Sequence, residues 1–484
     1  MQSDRQQEVL SQLRGRRAAV IGLGVTNLPL IRFLVKCGVH VTACDKKTRE
    51  ELGSAFEALS GLGVDFSLGP GYLDDLVAHD LLFLSPGVNP NQPEFVEARN
   101  GGVEFSSEIA LVLSLAQAPI IGITGSSGKT TTTTLTGLIM QKDSGRSHPG
   151  RRVLVGGNIG TPLIENILDV RAEDLIVLEL SSFQLKPVRM SPHVGAVLNI
   201  TPNHLDYHPD MDDYILSKEN ILKYQKEDDY AVLNADNEPT ASMAERVPGL
   251  VLLFSSRHPV ARGAFLSGNA LTFRWSPDED GVVVVHRADL KIPGLHNVEN
   301  ALAAIAICAA MEADFESMRQ ALRVFEGVEH RLEPAGEVGG VLFINDSIAT
   351  SPARTIAALL ALDRPIVLIA GGYDKHLPFD EMAEVAVDRV RAAVLIGVTA
   401  GKIEDSLLKA AEAKGAPGPQ ILRRGTFYEA VATAAEVAAP GDVVLLSPAC
   451  ASYDMFRNFE ERGRLFKELV KRMRDSESPS PRAV

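Results

Sequence analysis

Residues 120–131 read Ile-Ile-Gly-Ile-Thr-Gly-Ser-Ser-Gly-Lys-Thr-Thr, an apolar run that meets a helix start through a Gly-rich turn. A turn of that kind aims several backbone N–H groups at one phosphate, and the helix N-terminus adds about half a positive charge. Gly125, Ser126, Ser127, Gly128, Lys129, Thr130 and Thr131 are therefore the candidate phosphate cradle. Lys129 can reach the β- and γ-phosphates, and the Thr130 hydroxyl can ligate Mg²⁺. Ile123 stands where the full G-x-x-x-x-G-K-[ST] pattern has its first glycine, so the match is to the shorter G-x-x-G-K-T core. An ordinary Gly-rich turn is the alternative; binding of a nucleoside triphosphate is the chemistry the pattern implies.

A phosphate loop needs a carboxylate on a neighbouring strand to hold its metal, and Glu179 closes the apolar run 175–180. Burial of a charge there would be costly without a partner, but a solvated strand-end glutamate reads equally well. His204 and His208 have HxxxH spacing, which suggests zinc. Zinc is rejected, because Pro202 and Pro209 leave little room for a helix presenting both rings on one face, and no HExxH glutamate is present. Gly22-Leu23-Gly24-Val25-Thr26-Asn27, with Asp45 ending the next strand, comes close to a dinucleotide fingerprint. Asn27 replaces the third glycine, so a Rossmann-like unit is expected but NAD is not, and some other diphosphate lies across it.

These residues sit in a chain of 484, which at about 150 residues per domain corresponds to about three domains. With 45% hydrophobic and 23% charged residues it can bury ordinary cores. Forty-eight Lys+Arg against 62 Asp+Glu give a net charge of −14, which argues against a broad nucleic-acid surface but leaves room for a local cationic pocket. Four cysteines without CxxC spacing fit neither a disulfide framework nor a zinc cage and point to a reducing, cytoplasmic setting. The N-terminus lacks a signal-peptide pattern, and no apolar run approaches the ~20 residues that span a bilayer. A soluble protein without membrane insertion is expected.

Apolar runs that end in Gly or Asp alternate with amphipathic stretches, the pattern of parallel α/β units, and that pattern starts over three times. The first block has strands at 18–23, 40–45 and 80–86 and a helix at 28–37. The second has strands at 119–125, 175–180 and 194–200, then short strands at 230–234, 251–254, 271–275 and 282–286 that read as an antiparallel flap. A helix at 298–311 follows. The third has strands at 341–345, 366–370, 393–396 and 443–446 with helices near 354–362, 379–390 and 428–438. Boundaries near 106 and 327 divide the chain into 1–106, 107–327 and 328–484. The segment 141–152 reads as an exposed loop and 476–484 as a disordered tail.

Taken in order, the segments resemble the Mur ligase family over nearly the whole chain. They are G-L-G-V-T at 22–26, S-P-G-V at 85–88, G-S-S-G-K-T-T at 125–131, G-G-N-I-G at 156–160, E-L-S-S-F-Q-L at 179–185 and N-H-L-D at 203–206. They continue with G-L-H-N-V-E-N-A at 294–301, E-H-R-L-E at 329–333, N-D-S at 345–347, G-G-Y-D-K at 371–375 and L-S-P-A-C-A-S at 446–452. That last segment and the short first domain favour the family member that adds D-glutamate to UDP-N-acetylmuramoyl-L-alanine. The resemblance implies an α/β fold of three domains: a Rossmann-like N-terminal domain for the UDP-sugar, a central P-loop ATPase domain and a Rossmann-like C-terminal domain for the amino acid. It also implies an ATP-dependent amide ligase of peptidoglycan precursor synthesis that uses two Mg²⁺ ions and proceeds through an acyl phosphate.

The resemblance assigns residues as well. Glu179 and His204 would hold one Mg²⁺, and Lys218 matches a lysine whose carbamylation makes a carboxylate-like metal ligand; by its local sequence alone it reads as a surface lysine. Asn297, Asn300, Arg331 and Asp346 would surround the adenine and ribose. Thr26, Asp45, Lys46, Ser85, Gly87 and Asn158 would contact the uridine-diphospho-sugar, and Thr350, Lys375, Ser452 and Phe459 would receive D-glutamate. Without the family, Asn297 and Asn300 read as helix caps, Asp346 as a turn residue and Phe459 as core. Ile348 replaces a lysine common in the family, which leaves Lys375 to do more alone, and Asn203 replaces a common aspartate before His204.

The rivals are another carboxylate–amine ligase such as a folylpolyglutamate synthetase, a nucleotide-binding switch and a dinucleotide oxidoreductase. The uridine-type first domain, the lack of an N-K-x-D motif and the incomplete first Gly-rich turn argue against them in turn. The chain is expected to act as a monomer whose domains close around the substrates.

Overall fold

The computed structural model describes residues 4–24, 27–85, 88, 90–158, 162–202, 208–292, 294–375 and 377–477. Thr26, Gly87, Asn203 and His204 lie outside the described residues, as does most of the expected tail. The chain forms two compact units, Met1–Phe325 and Glu326–Val484.

The first unit holds two sheets. Strands β1 (Arg17–Ile21), β2 (His40–Asp45), β3 (Asp65–Leu68), β4 (Leu81–Leu84) and β5 (Glu104–Ser106) pair in parallel in the order β3-β2-β1-β4-β5. The second sheet comprises β6 (Ile120–Thr124), β7 (Val153–Gly157), β8 (Leu175–Glu179), β9 (Val194–Val197), β10 (Tyr230–Asn234), β11 (Leu250–Ser255), β12 (Gly263–Ser267), β13 (Ala270–Arg274) and β14 (Val282–His286). Its order is β14-β13-β12-β11-β10-β9-β6-β8-β7. Strand β6 lies where the order reverses, with β8 on one side and β9 on the other, and crevices at the carboxyl ends of such strands bind ligands. Both neighbours and β6 itself are buried along their whole length, so they read as continuous apolar runs. The two sheets share one core, in which Leu30, Ile31 and Leu34 of the helix Asn27–Lys36 join Ile109 and Val112 of the helix Glu108–Leu115, and Ile164 and Ile167.

Two features differ from the sequence reading. The antiparallel pairing is confined to β12–β14, which extend the edge of the same sheet, whereas β10 and β11 continue its parallel part. Residues 141–147, expected in a loop, complete the helix Lys129–Ser147. Tertiary contacts override the weak local propensity: buried Asp143 accepts the Asp314 N–H at 3.0 Å, and Arg146 pairs with Asp314 at 3.2 Å.

The second unit is a six-stranded sheet of β15 (Glu333–Val338), β16 (Val341–Asn345), β17 (Ile366–Gly371), β18 (Val390–Ile396), β19 (Gln420–Arg423) and β20 (Val443–Leu446), in the order β15-β16-β20-β17-β18-β19. Only β15 runs antiparallel. Its faces are covered by apolar layers that include Leu359, Met382 and Ile403 on one side and Phe427, Phe466 and Val470 on the other.

Asp174 fixes the start of β8. Its carboxylate, wholly buried, accepts from the backbone N–H groups of Arg152 at 3.1 Å and Arg171 at 2.9 Å and from both guanidinium groups. Burial alone would raise its pKa, but the two arginines' donors outweigh that and hold it well below the usual carboxylate range. A depressed folded pKa contributes stability that is present above the unfolded value of about 4 and is lost as the pH falls. Asp174→Asn is therefore expected to cost about 2 kcal/mol at pH 7, and urea titrations of variant and parent are expected to converge as the pH drops below about 4.

Candidate phosphate-loop site

The carboxyl end of β6 enters the turn 125–128, and the helix Lys129–Ser147 begins immediately after Gly128. Gly128 adopts φ +78° and caps the helix without a side-chain hydrogen bond, so the first-turn N–H groups point out of the helix end. A Cβ at Gly128 would collide with the Asn300 side-chain oxygen. The left-handed backbone angle favours glycine there, and any side chain would also have to displace the Asn300 amide.

The turn is laced to the segment after β9. Asn199 accepts the Ser127 N–H through Oδ1 at 2.9 Å and the Ser126 N–H through its carbonyl at 2.9 Å. The Ser126 hydroxyl exchanges hydrogen bonds with the Thr201 backbone at 3.0 and 3.1 Å and meets the Tyr214 hydroxyl at 3.0 Å. Lys129 Nζ donates to the carbonyls of Gly125 at 2.8 Å and Ser126 at 3.2 Å. Thr130 and Thr131 follow on the first helical turn, half-buried.

Beneath the turn lie two buried ionisable groups. Glu179, at the end of β8, is 2% exposed; its Oε1 accepts from Asn158 Nδ2 at 3.0 Å and its Oε2 has no hydrogen-bond partner among the described residues. Lys218, on the helix Met211–Lys223, is 1% exposed. Its Nζ donates to the Gly125 carbonyl at 3.0 Å and lies 4.6 Å from the centre of the Tyr214 ring. Burial, and then the charge of Lys129, push its pKa down to about 7. The surface-lysine reading of Lys218 is thus excluded by its position: the helix turns this residue inward beside Tyr214, one turn earlier. Hard oxygen donors suit Mg²⁺, and the unpaired Glu179 oxygen and the Thr130 hydroxyl are such donors.

Asn300 and Asn297 belong to the first two turns of the helix Leu295–Ala310. Rather than capping it, Asn300 accepts from Thr132 Oγ1 at 3.3 Å and donates to Asn297 Oδ1 at 3.2 Å, so it packs directly against the phosphate turn. His208 bonds through both ring nitrogens, to Asp213 at 2.6 Å and to buried Ser182 at 3.0 Å.

In the first sheet, Asp45 accepts the backbone N–H groups of Leu23 at 2.7 Å and Lys47 at 3.0 Å, which ties the turn after β1 to the end of β2. Lys46 is exposed beside it. Ser85 follows β4, held by its N–H to the Ile21 carbonyl at 3.0 Å. Asp45 and Ser85 thus both lie at carboxyl ends of parallel strands.

In the second unit, exposed Arg331 precedes β15, and Asp346 follows β16. Asp346 is 4% exposed, accepts from Ser447 Oγ at 2.8 Å and from the Leu332 N–H at 3.2 Å, and has its pKa raised to about 6 by burial. Lys375 Nζ reaches the Thr350 carbonyl at 3.4 Å. Ser452 is buried, and Phe459 opens the helix Phe459–Glu477 with its ring 6.0 Å from that of His330.

The residues that sequence reasoning missed are Asn199, Tyr214 and Thr201, which lock the phosphate turn. Tyr214 carried a usable signal in its (i, i+4) spacing from Lys218; the other two act through pairings that only the fold creates.

Known protein families match in the same order along the chain. The MurD-like N-terminal domain of Mur ligases matches residues 16–107, the Mur ligase middle domain 123–308, and the glutamate ligase domain of Mur ligases 330–450. The chain is 48% identical over 456 residues to the UDP-N-acetylmuramoylalanine–D-glutamate ligase of Symbiobacterium thermophilum, covering 94% of this chain and 97% of that one. It is 45% identical over 458 residues to the ligase of the same name from Clostridium novyi, covering 95% and 97%. Among solved structures, the UDP-N-acetylmuramate-alanine ligase MurC of Thermotoga maritima shares the fold with a TM-score of 0.54 at 20% identity, covering 96% of this chain and all of that one. MurF of Acinetobacter baumannii also has a TM-score of 0.54, at 17% identity, with 96% and 98% covered. From its matched domains and its identity over most of its length, the chain belongs to the Mur ligase family.

Proposed function

We propose that the protein is an ATP-dependent ligase that joins D-glutamate to UDP-N-acetylmuramoyl-L-alanine in peptidoglycan precursor synthesis. The substrates follow the relatives that are 48% and 45% identical to it over 456 and 458 residues. The observation that carries the chemistry is the pair of buried groups under the phosphate turn: Glu179 with an unpaired oxygen, and Lys218 with its ammonium destabilised.

A carboxylate is a poor electrophile, so the UDP-muramoyl-alanine carboxylate first attacks the γ-phosphate of ATP to give an acyl phosphate. The D-glutamate amine then adds to the acyl carbon, and the tetrahedral intermediate expels phosphate. Negative charge grows in both steps where anions already crowd, so oriented donors and cations must offset it. The N–H groups at the start of the helix Lys129–Ser147 and the Lys129 ammonium do this within the chain. Thr130, Glu179, His204 and carbamylated Lys218 would hold two Mg²⁺ ions, which supply further charge neutralisation when bound. Carbamylation joins the neutral Lys218 amine to the carbon of CO₂ and releases one proton, which leaves a carbamate anion. It therefore needs a lysine with a depressed pKa, as Lys218 has.

Asn297, Asn300, Arg331 and Asp346 would serve the nucleoside. Thr26, Asp45, Lys46, Ser85, Gly87 and Asn158 would serve the uridine-diphospho-sugar, and Thr350, Lys375, Ser452 and Phe459 the amino acid. Domains 1–106, 107–327 and 328–484 then correspond to the three substrates.

Phosphate release from ATP, measured with a panel of amino acids and UDP-N-acetylmuramoyl-L-alanine, is expected to require the uridine substrate and D-glutamate together; release indifferent to D-glutamate would defeat this reading. Lys218→Ala is expected to lose activity by a factor on the order of 100 and to regain part of it when short-chain carboxylic acids are added. Near-normal turnover without rescue would remove Lys218 from the site.

A further inference from the structure

Arg462, on the helix Phe459–Glu477, is the largest of the fully buried side chains, 1% exposed. A buried guanidinium ordinarily has a carboxylate beside it, because an unpaired charge in the interior is costly. Among the described residues Arg462 has no ion pair and makes four hydrogen bonds, all to neutral oxygens, with Asp454 near enough to favour its charged form. Nε donates to Ser347 Oγ at 3.0 Å, Nη1 to the Cys450 carbonyl at 3.3 Å, and Nη2 to the carbonyls of Ser347 at 2.9 Å and Cys450 at 3.2 Å. The Cys450 thiol is no counterion, since burial pushes its pKa up to about 11. Arg462 itself is pushed down by burial only to about 10 and stays protonated at neutral pH.

The four bonds tie together two segments: the one after β16, which continues to Thr350, and the one after β20, which continues to Ser452. More positive charge converges there. The Arg354 guanidinium donates to the carbonyl of Ile348 at 3.0 Å, at the position where a family lysine is missing. The pKa of Lys375 is lowered by burial of its ammonium and by Arg354 and Arg462. Among the described residues Asp346, Asp374 and Asp454 are acids of the same region: Asp454 favours the charged form of Arg462, and Arg354 partly offsets the burial that pushes the Asp346 carboxyl up. The strand ends of this unit thus gather cationic and acidic side chains around the segments that Arg462 joins.

We propose that Arg462 is a positioning residue of the acceptor site, a buried cation whose hydrogen bonds join the segments after β16 and β20 and ready them for the amino acid. The inference rests on the D-glutamate reading above and deepens it.

The test is steady-state kinetics of the full-length protein, varying one substrate at a time. Arg462→Met keeps the side-chain bulk and removes the charge. It is expected to raise KM for D-glutamate about tenfold or more, while KM for ATP and for the uridine substrate stays within about twofold. Arg462→Lys, which keeps the charge but cannot span both segments, is expected to raise it less. An unchanged KM for D-glutamate, or an equal rise in all three constants, would assign Arg462 to folding alone and overturn the proposal. If Arg462→Met does not fold, Arg462→Lys decides by the same comparison: a rise confined to D-glutamate supports the role and no change removes it. Failure of the underlying reading looks different, because the parent protein would then release phosphate without regard to D-glutamate.

Discussion

Two ionisable side chains, Glu179 and Lys218, are buried beneath the phosphate turn, and neither has an ion-pair partner among the described residues. Interiors tolerate such groups only when something else offsets the desolvation cost. For Lys218 the offset is incomplete: two oxygen acceptors and the Tyr214 ring lie near its amine, yet the charged form remains disfavoured. For Glu179 a single amide donor from Asn158 serves one oxygen and leaves the other bare. The site is an arrangement of unmet electrostatic demand, and a polyanion with its cations can meet it.

The nine-stranded sheet exists around that demand. Placing β6 between β8 and β9 brings three strand ends to one crevice, and each contributes a different element: the phosphate turn, the Glu179 carboxylate, and the Asn199 clamp. The helix Met211–Lys223 then closes the floor with Lys218 and Tyr214. The N-terminal sheet is bound to this body by a continuous apolar core, so the turn after β1 and the central strands belong to one compact unit.

The second unit also buries a charged side chain, Arg462. There the buried charge is positive, and the backbone carbonyls of two segments supply its hydrogen bonds without neutralising it. Buried ionisable groups of this kind are candidates for a functional role, because their electrostatics can be completed by a ligand.

What the sequence determined by itself was whatever local pattern encodes. Alternating apolar runs and amphipathic stretches announced parallel α/β units, and Gly125 to Thr131 announced a phosphate turn, because a left-handed glycine before a helix start is a local property. Short strands such as β3, β7 and β19 and the last turns of the helix Lys129–Ser147 stayed hidden, since pairing and contacts with distant residues stabilise them. Only the tertiary structure decided that Lys218 is buried rather than on the surface, that Asn300 packs against Gly128 rather than capping a helix, and that Arg462 is buried with its hydrogen bonds on neutral oxygens. Burial depends on which elements cover a residue from across the chain, and a side chain's electrostatics depends on that burial more than on its neighbours in sequence.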